Sequence, residues 1–242
     1  MKPAVPHQFD RRAAQYERHA PVQREAAAWL AEWLPETIEG PALELGAGTG
    51  LFTKHLLGRA TRLEASDIAP NMVRAGQAAW PGAEWMIADA GAPPEGRDYR
   101  WIFNCSLVQW LADPVAVFRA WHNATASGAR LLSGWFVHGT MTEFFEACPE
   151  ASPFLWRDAD EWRDLLGEAG WSVQRSETKR FIRRHAGSTA MLREIHNAGA
   201  VMPGRLGPGR LRQALREYDR NHRDAGGISA TFEFLRLEAV RS

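Results

Sequence analysis

Short apolar runs bounded by glycine, proline or polar turns alternate with segments of helical periodicity along this chain. The runs predict seven strands, which lie within 42–50, at 61–67, 84–88, 98–105 and 129–137, from Trp171 onward, and at 227–240. Helical segments separate most of them. This alternation predicts an α/β fold with a doubly wound mixed sheet, whose ligand crevice lies at the carboxyl ends of the strands.

Two helical regions fall outside this alternation. Residues 9–34 precede the first strand, and Pro21 divides them. We expect them to form a lid over the crevice with Tyr16, His19 and Gln23 on one face, although simple packing of that face on the domain is the alternative. The predicted organisation is a single domain over 1–242, with N-terminal lid helices (1–34), a core (40–183 and 226–242) and a helical cap insertion before the last strand (184–225).

A glycine turn directly follows the first strand. Gly46, Gly48 and Gly50 lack a Cβ, so the backbone can turn tightly and a ligand can approach it closely. The glycine spacing of dinucleotide loops and the lysine of triphosphate loops are both absent. Glu44, two residues before the turn, suits a cationic ligand such as S-adenosylmethionine, which carries a sulfonium and an ammonium group. A glycine turn used only for packing is the alternative.

Acidic residues follow the next two strands. Asp67 ends the second strand, just before Ile68 and Met72, where a carboxylate can accept hydrogen bonds from both hydroxyls of a ribose. Capping of the following helix is the alternative role for Asp67. Asp89 and Ala90 follow the third strand, where a carboxylate and a backbone N–H suit an adenine ring. We therefore predict an adenosine site across these strand ends.

The segment after the fourth strand supplies further polar groups. We expect Asn104, Ser106, Gln109 and Trp110 to line the crevice, with Asn104 contacting the cofactor. His138 follows the fifth strand and could touch a substrate, with a packing or solvent-facing histidine as the alternative.

Composition limits the remaining classes. The chain has 242 residues, 45% of them hydrophobic, which suits one α/β domain with an elaboration. Its two cysteines have no metal-ligand spacing, so we predict no metal site and a reducing, cytoplasmic location. No apolar run approaches the roughly 18 residues of a membrane span, so we expect no membrane partner.

Charge is unevenly distributed although the formal net charge is zero. Residues 171–242 hold 14 Lys and Arg against 7 Asp and Glu, whereas residues 1–170 hold 15 against 22. Most of the basic excess falls in the insertion, where Arg193 is the arginine best placed to point at the crevice. We expect this region to attract an acidic partner.

Glu44, the glycine turn, Asp67 and Asp89 together resemble the S-adenosylmethionine site of the class I methyltransferases, which have a Rossmann-like fold. Other motifs are similar to those of the malonyl-carrier-protein O-methyltransferases of biotin synthesis. They are Phe9-x-x-x-Ala13-x-x-Tyr16-x-x-x-Ala20-x-x-Gln23, Leu107-Val108-Gln109-Trp110-x-x-Asp113-Pro114, Thr142-Glu143 and Met191-Leu192-Arg193-x-x-x-x-x-Gly199-Ala200. The similarity covers nearly the whole chain.

This resemblance implies transfer of a methyl group from S-adenosylmethionine to the free carboxylate of malonyl-acyl carrier protein, an acidic partner, or of malonyl-CoA. A carboxylate is already ionised near pH 7, so the reaction needs no general base. We therefore predict residues that position the substrate and exclude water. Tyr16, Gln109 and Trp110 take this role, and Arg193 pairs with the substrate carboxylate.

Other functions stay open at this point. A methyltransferase for another small carboxylic acid, such as trans-aconitate, has a similar Leu-Gln-Trp segment, and a protein that binds S-adenosylmethionine without turnover is a further alternative. The bulky end of strand five, Trp135-Phe136-Val137-His138, departs from the family pattern and narrows the crevice. Methylation of nucleic acid is disfavoured because Asn104-Cys105-Ser106-Leu107 lacks the Asn/Asp-Pro-Pro-Tyr arrangement of amino-methylating enzymes.

Overall fold

A mixed β-sheet forms the centre of the computed structural model, which describes residues 4–94, 96–152, 154–198 and 207–242. Its strands are β1 (Ile38–Leu45), β2 (Ala60–Asp67), β3 (Glu84–Ile87), β4 (Tyr99–Cys105), β5 (Thr125–Phe136), β6 (Trp171–His185), β7 (Arg223–Asp224) and β8 (Gly227–Arg241). Their order is β3-β2-β1-β4-β5-β8-β6, and β7 pairs with β8. The first five strands are parallel, whereas β8 runs antiparallel to both β5 and β6.

Helices cover both faces of this sheet. They are α1 (Ala4–Asp10), α2 (Ala13–His19), α3 (Pro21–Ala31), α4 (Thr53–Leu56), α5 (Pro70–Ala79), α6 (Pro114–Asn123), α7 (Thr142–Ala147), α8 (Ala159–Glu168), α9 (Ser188–Asn197) and α10 (Pro208–His222). Proline opens four of them, where its fixed φ suits the first turn and its missing N–H is not needed. A capping box of Asp158 and Glu161 fixes the start of α8.

Side chains of the central strands alternate between two apolar layers, one on each face of the sheet. Leu43 and Ile102 pack with Phe118 of α6 and Trp162 of α8, whereas Phe103 faces the opposite layer. That second layer contains residues of α3, α4 and the strands, among them Ala27, Leu30, Leu56, Ala42 and Leu132. The sheet is therefore buried on both sides, as expected for parallel strands.

The predicted α/β doubly wound fold is confirmed, with differences in detail. The two-residue strand β7 is too short to leave a periodic pattern. Strand β5 begins at Thr125 and not at the predicted residue 129, because the chain bulges at Gly128, which has φ 72° and where the register with β4 shifts. The region before the first strand forms three helices, because the chain also breaks after Asp10.

Two helices, α9 and α10, lie in the predicted insertion. Three residues that were named from the sequence lie outside the described residues, namely Gly199, Ala200 and Arg205.

Helix α3 is attached to the sheet through the buried guanidinium of Arg236, which donates to the carbonyl of Trp29 and pairs with Glu32 and Glu177 at 3.0 and 2.7 Å. Over the described ranges, none of the helices combines the length and the apolar character required to cross a bilayer.

Candidate active site

The glycine turn lies between the ends of β1 and β2. Gly46 and Gly48 have φ values of 66° and 59°, a left-handed conformation that glycine adopts without strain. The carboxylate of Asp67 holds the turn, since its Oδ2 accepts from the Gly48 N–H at 2.9 Å and its Oδ1 accepts from the Ala69 N–H at 2.8 Å. Each carboxylate oxygen keeps a further lone pair for a ligand.

This turn forms one wall of a cleft of about 820 Å³, which we call the glycine-turn cleft. Most of the residues predicted to bind the cofactor line it, namely Tyr16, Glu44, Gly46, Gly48, Asp67, Ile68, Met72 and Ala90. A Cβ on Gly48 would enter open space, so the backbone itself is presented to the cleft. The lining groups fit an adenosine-bearing ligand.

Three residues predicted to bind the cofactor are not on this wall. Gly50 faces the ring of Trp80, where a Cβ would lie 2.2 Å from Trp80 Cδ1, so its glycine is required for packing. Asn104 is buried below the wall, and its Oδ1 accepts from Ser133 Oγ at 2.5 Å. The exposed carboxylate of Asp89 accepts from the Gly91 N–H at 2.9 Å, between residues that line the cleft, so its contact with adenine stays a prediction.

Glu44 is a buried carboxyl group in the wall of the cleft. Its side chain is 1% exposed, and its Oε2 accepts from Thr53 Oγ1 at 2.6 Å. Burial raises the pKa of Glu44 to about 8, with the nearby charge of Asp67 acting in the same direction and the Thr53 hydrogen bond opposing both. A cation bound in the cleft would favour the ionised carboxylate, so these residues fit a ligand with a sulfonium and an ammonium group.

Binding of S-adenosylmethionine at pH 7 is expected to release about one proton per enzyme, because Glu44 is protonated in the empty cleft and ionised beside a cation. Calorimetry in two buffers of different ionisation enthalpy measures this release. Glu44→Gln should abolish most of it. Equal release by the variant and the wild type would assign the proton to another group.

The raised pKa of Glu44 also affects the stability of the cofactor-free protein. The folded state keeps a proton on this carboxyl, whereas in the unfolded chain the carboxyl loses its proton near the ordinary glutamate pKa of 4.5. The stability contributed by this protonated carboxyl is therefore complete below pH 4.5 and is lost as the pH rises through about 8.

The lid role of the N-terminal helices stays a prediction, although residues of α1 and α2 line the cleft. Tyr16 lines it, and Phe9 packs edge-on against Tyr16 and Trp110 at centroid distances of 6.1 and 5.5 Å. Asp10 docks α1 on the start of α5, because its Oδ1 accepts from the Asn71 N–H at 2.7 Å and its Oδ2 accepts from Asn71 Nδ2 at 2.9 Å. These contacts place an aromatic cover above the cleft.

A second cavity, of about 810 Å³, adjoins the first, and we call it the aromatic chamber. It shares with the glycine-turn cleft the wall formed by Phe9, Tyr16, Gln23, Ser106 and Trp110. Its other lining residues are mostly apolar and include Phe136, Met141, Phe145, Phe154, Trp156, Ile195 and Phe232. His19 also lines this chamber, so the three residues of the predicted lid face lie on one cavity wall.

Ser106 stands at the junction of the two cavities in an unusual backbone conformation. Its φ is 62°, rare for a residue with a Cβ, and hydrogen bonds fix it, with its N–H donating to the Gly134 carbonyl at 2.7 Å and its own carbonyl accepting from Gln109 Nε2 at 2.9 Å. Such strain is typical of functional sites. The turn aims Gln109 and Trp110 into the chamber, as predicted for these two residues.

Arg193 is the predicted catalytic residue that the structure does not bring to the site. It is exposed on α9, where Glu194 and Ile195 line the chamber instead. The buried Met191 fixes the inward face, and a residue two positions later points about 200° away from it. The prediction that Arg193 faces the cleft is therefore wrong in this structure. His138 is also exposed and lies off both cavities, which supports its solvent-facing alternative.

Several lining residues were not predicted as site residues. Phe154 and Trp156 lie in a segment without periodicity, and Cys105 ends β4 beside the cleft. Burial raises the pKa of the Cys105 thiol to about 12, so it is neutral and contributes only to the wall. The high tryptophan content was the one signal for an aromatic cavity.

The sequence of this chain is similar to those of known proteins over most of its length. A malonyl-[acyl-carrier protein] O-methyltransferase of Halorhodospira halophila is 30% identical over 247 residues, which cover 93% of this chain and 83% of that protein. The chain belongs to the malonyl-[acyl-carrier protein] O-methyltransferase family. The family described as "Methyltransferase domain" matches residues 42–128.

Two further similarities agree with this membership. The biotin biosynthesis bifunctional protein BioCD of Bordetella avium is 30% identical over 96% of this chain, which spans 51% of that protein's length. The structure of the YcgJ protein from Bacillus subtilis shares the fold, with a TM-score of 0.68 at 12% identity over 90% of this chain and 98% of that one. The predicted family, enzyme class and methyl donor are confirmed, and the chain is an S-adenosylmethionine-dependent methyltransferase.

Proposed function

We propose that this member of the family methylates the free carboxylate of a malonyl group carried as a thioester on acyl carrier protein, in biotin synthesis. The observation that carries the proposal is the shared wall between the glycine-turn cleft and the aromatic chamber. Because the same residues line both cavities, a methyl donor in the cleft and an acyl chain in the chamber would lie next to each other beneath the N-terminal helices. We place the reaction in the cytoplasm, as the cysteine usage indicates.

Residues of the cleft would hold the donor. The turn at Gly46 and Gly48 and the carboxylates of Asp67 and Glu44 would receive its adenosine and its positive charge. When bound, S-adenosylmethionine supplies an electrophilic methyl group on a cationic sulfur. The protein's task is then to orient the acceptor and to keep water out.

Tyr16 is the residue that we place above the reacting groups. Burial raises the pKa of its phenol well above the usual range, and the nearby carboxylates of Asp67 and Glu17 act in the same direction. The phenol is therefore protonated at neutral pH and can donate a hydrogen bond to an acceptor carboxylate. It cannot act as a base, and an ionised carboxylate does not require one.

An incubation with labelled S-adenosylmethionine tests the proposal. Malonyl-acyl carrier protein, malonyl-CoA and free dicarboxylic acids are offered separately, and the labelled ester is measured. We expect methylation of the malonyl thioesters with little of the free acids. Preference for a free acid such as trans-aconitate would favour that alternative, and cofactor binding without any transfer would indicate a binding protein.

An acidic carrier would find a basic surface on the cap. Arg212, Arg216 and Arg220 recur every four residues on α10, so they share one face. All three are exposed, and none forms an ion pair with a residue in the described part of the chain. Their positive charge suits an acidic carrier protein.

Raising the salt concentration from about 50 to about 300 mM should increase the KM for malonyl-acyl carrier protein by about tenfold, because salt screens attraction between opposite charges. The KM for malonyl-pantetheine, which lacks the acidic protein, should change less than about twofold. Substituting Arg216→Gln and Arg220→Gln together should flatten this salt dependence. The matched control is Arg119→Gln with Arg163→Gln, a pair of exposed arginines on α6 and α8. Equal slopes for both double variants would exclude α10 as the docking face.

A further inference from the structure

Two polar atoms in the aromatic chamber are without a partner. Gln109 and Trp156 both line the chamber, and the Gln109 Oε1 and Trp156 Nε1 atoms are buried without a hydrogen bond to any described residue. The free atom of Gln109, Oε1, is an acceptor, because Gln109 Nε2 already donates to the Ser106 carbonyl at 2.9 Å. The indole N–H of Trp156 is a donor. Leaving such groups unpaired in an apolar site is costly, and because both residues line a cavity, a ligand group placed there can satisfy them.

One acceptor and one donor in an apolar cavity match a secondary amide. The amide N–H would donate to Gln109 Oε1, and the amide carbonyl would accept from Trp156 Nε1. Rings pack around Trp156, with Phe154 and Phe145 at centroid distances of 4.8 and 6.2 Å, so its indole is held in place.

We propose that Gln109 and Trp156 form an amide-binding subsite for the arm that carries the thioester. This inference rests on the proposed function and specifies its substrate class. Pantetheine arms contain secondary amides next to an apolar chain, whereas free dicarboxylic acids contain none. The subsite selects carrier-bound or CoA-bound malonate by its arm, independently of the carboxylate that is methylated.

The test compares two malonyl thioesters that differ in the amide. Malonyl-pantetheine carries amides, and the S-butyl thioester of malonate does not. Trp156→Phe removes the N–H and keeps an aromatic wall, and Gln109→Met removes the acceptor. Trp162→Phe is the matched control, since Trp162 Nε1 is equally buried without a partner in the described chain but lies in the core, away from the chamber.

We expect Trp156→Phe and Gln109→Met each to reduce kcat/KM for malonyl-pantetheine by about tenfold, the equivalent of one hydrogen bond. Activity on the S-butyl thioester should stay within about twofold for Trp156→Phe, and the control should not alter the ratio of the two substrates. Equal losses on both thioesters would overturn the subsite and leave Trp156 a wall residue.

A binding measurement keeps this inference separate from the proposed function. Pantetheine is titrated into enzyme saturated with S-adenosylhomocysteine and followed by calorimetry. We expect about tenfold weaker binding to Trp156→Phe than to the wild type and the Trp162→Phe control. Absence of methyl transfer with this pattern intact would refute the reaction and support the subsite, whereas unchanged binding would refute the subsite even if transfer occurs.

Discussion

Asp67→Ala should weaken the binding of S-adenosylhomocysteine by at least about 100-fold, because it removes two kinds of contact at once. The carboxylate holds the glycine turn through the Gly48 and Ala69 N–H groups, and its remaining lone pairs face the cleft where a ribose would lie. Hydrogen bonds to charged groups contribute about 1.5–3 kcal/mol each, so two suffice for this loss. Calorimetric titration of the purified variant measures it.

Two controls distinguish a lost ligand contact from general unfolding as the cause of the weaker binding to Asp67→Ala. Glu84→Ala removes an exposed carboxylate at the start of β3 and should leave the affinity unchanged. Denaturant unfolding of Asp67→Ala should show a folded protein that is destabilised by about 1–3 kcal/mol, since two backbone donors lose their acceptor. An affinity within threefold of the wild type would remove Asp67 from the donor site.

Tyr16→Ala is expected to reduce kcat/KM for malonyl-acyl carrier protein by about 1,000-fold. The residue lines both cavities, so its loss admits water to the reacting groups and removes the phenolic donor together. Tyr16→Phe keeps the ring and should reduce kcat by about 10–100-fold, with little change in the dissociation constant of S-adenosylhomocysteine. Steady-state kinetics and titration separate the two contributions.

Tyr218→Phe serves as the matched control for loss of a buried phenol. Tyr218 lies on α10, and its hydroxyl donates to the Ser229 carbonyl of β8, away from both cavities. This substitution should cost about 1 kcal/mol of stability and leave kcat unaltered. If Tyr16→Phe proved as active as Tyr218→Phe, the phenolic hydrogen bond would have no part in turnover, and the ring alone would explain Tyr16.

The donor site was the part of the molecule most accessible from the sequence. Glu44, Gly48 and Asp67 sit at strand ends, where local pattern fixes both the backbone direction and the side-chain chemistry. Asn104 at the end of β4 and Gly50 in the glycine turn are not on the cleft wall, because Asn104 accepts a hydrogen bond from Ser133 and Gly50 packs against Trp80. Whether a side chain at a strand end faces ligand or core depends on tertiary contacts that a single sequence does not reveal.

The aromatic chamber could not be predicted in the same way. Its wall combines the lid, the β4 end, α7, the 154–156 segment and α9, which are distant in sequence and share no common period. The error at Arg193 came from choosing a residue by charge, whereas the buried Met191 determines which side of α9 turns inward. Charge identifies a potential partner for an anion but not its direction.

The hydrogen bonds of Asp10 with Asn71 hold α1 on α5, beside the pocket for the methyl donor. Met72, the next residue of α5, touches the space where the donor would reside, so we expect spent and fresh molecules to exchange only after α1 has detached from α5. Escape of S-adenosylhomocysteine would then pace each cycle, and strong inhibition by that by-product is the expected kinetic outcome.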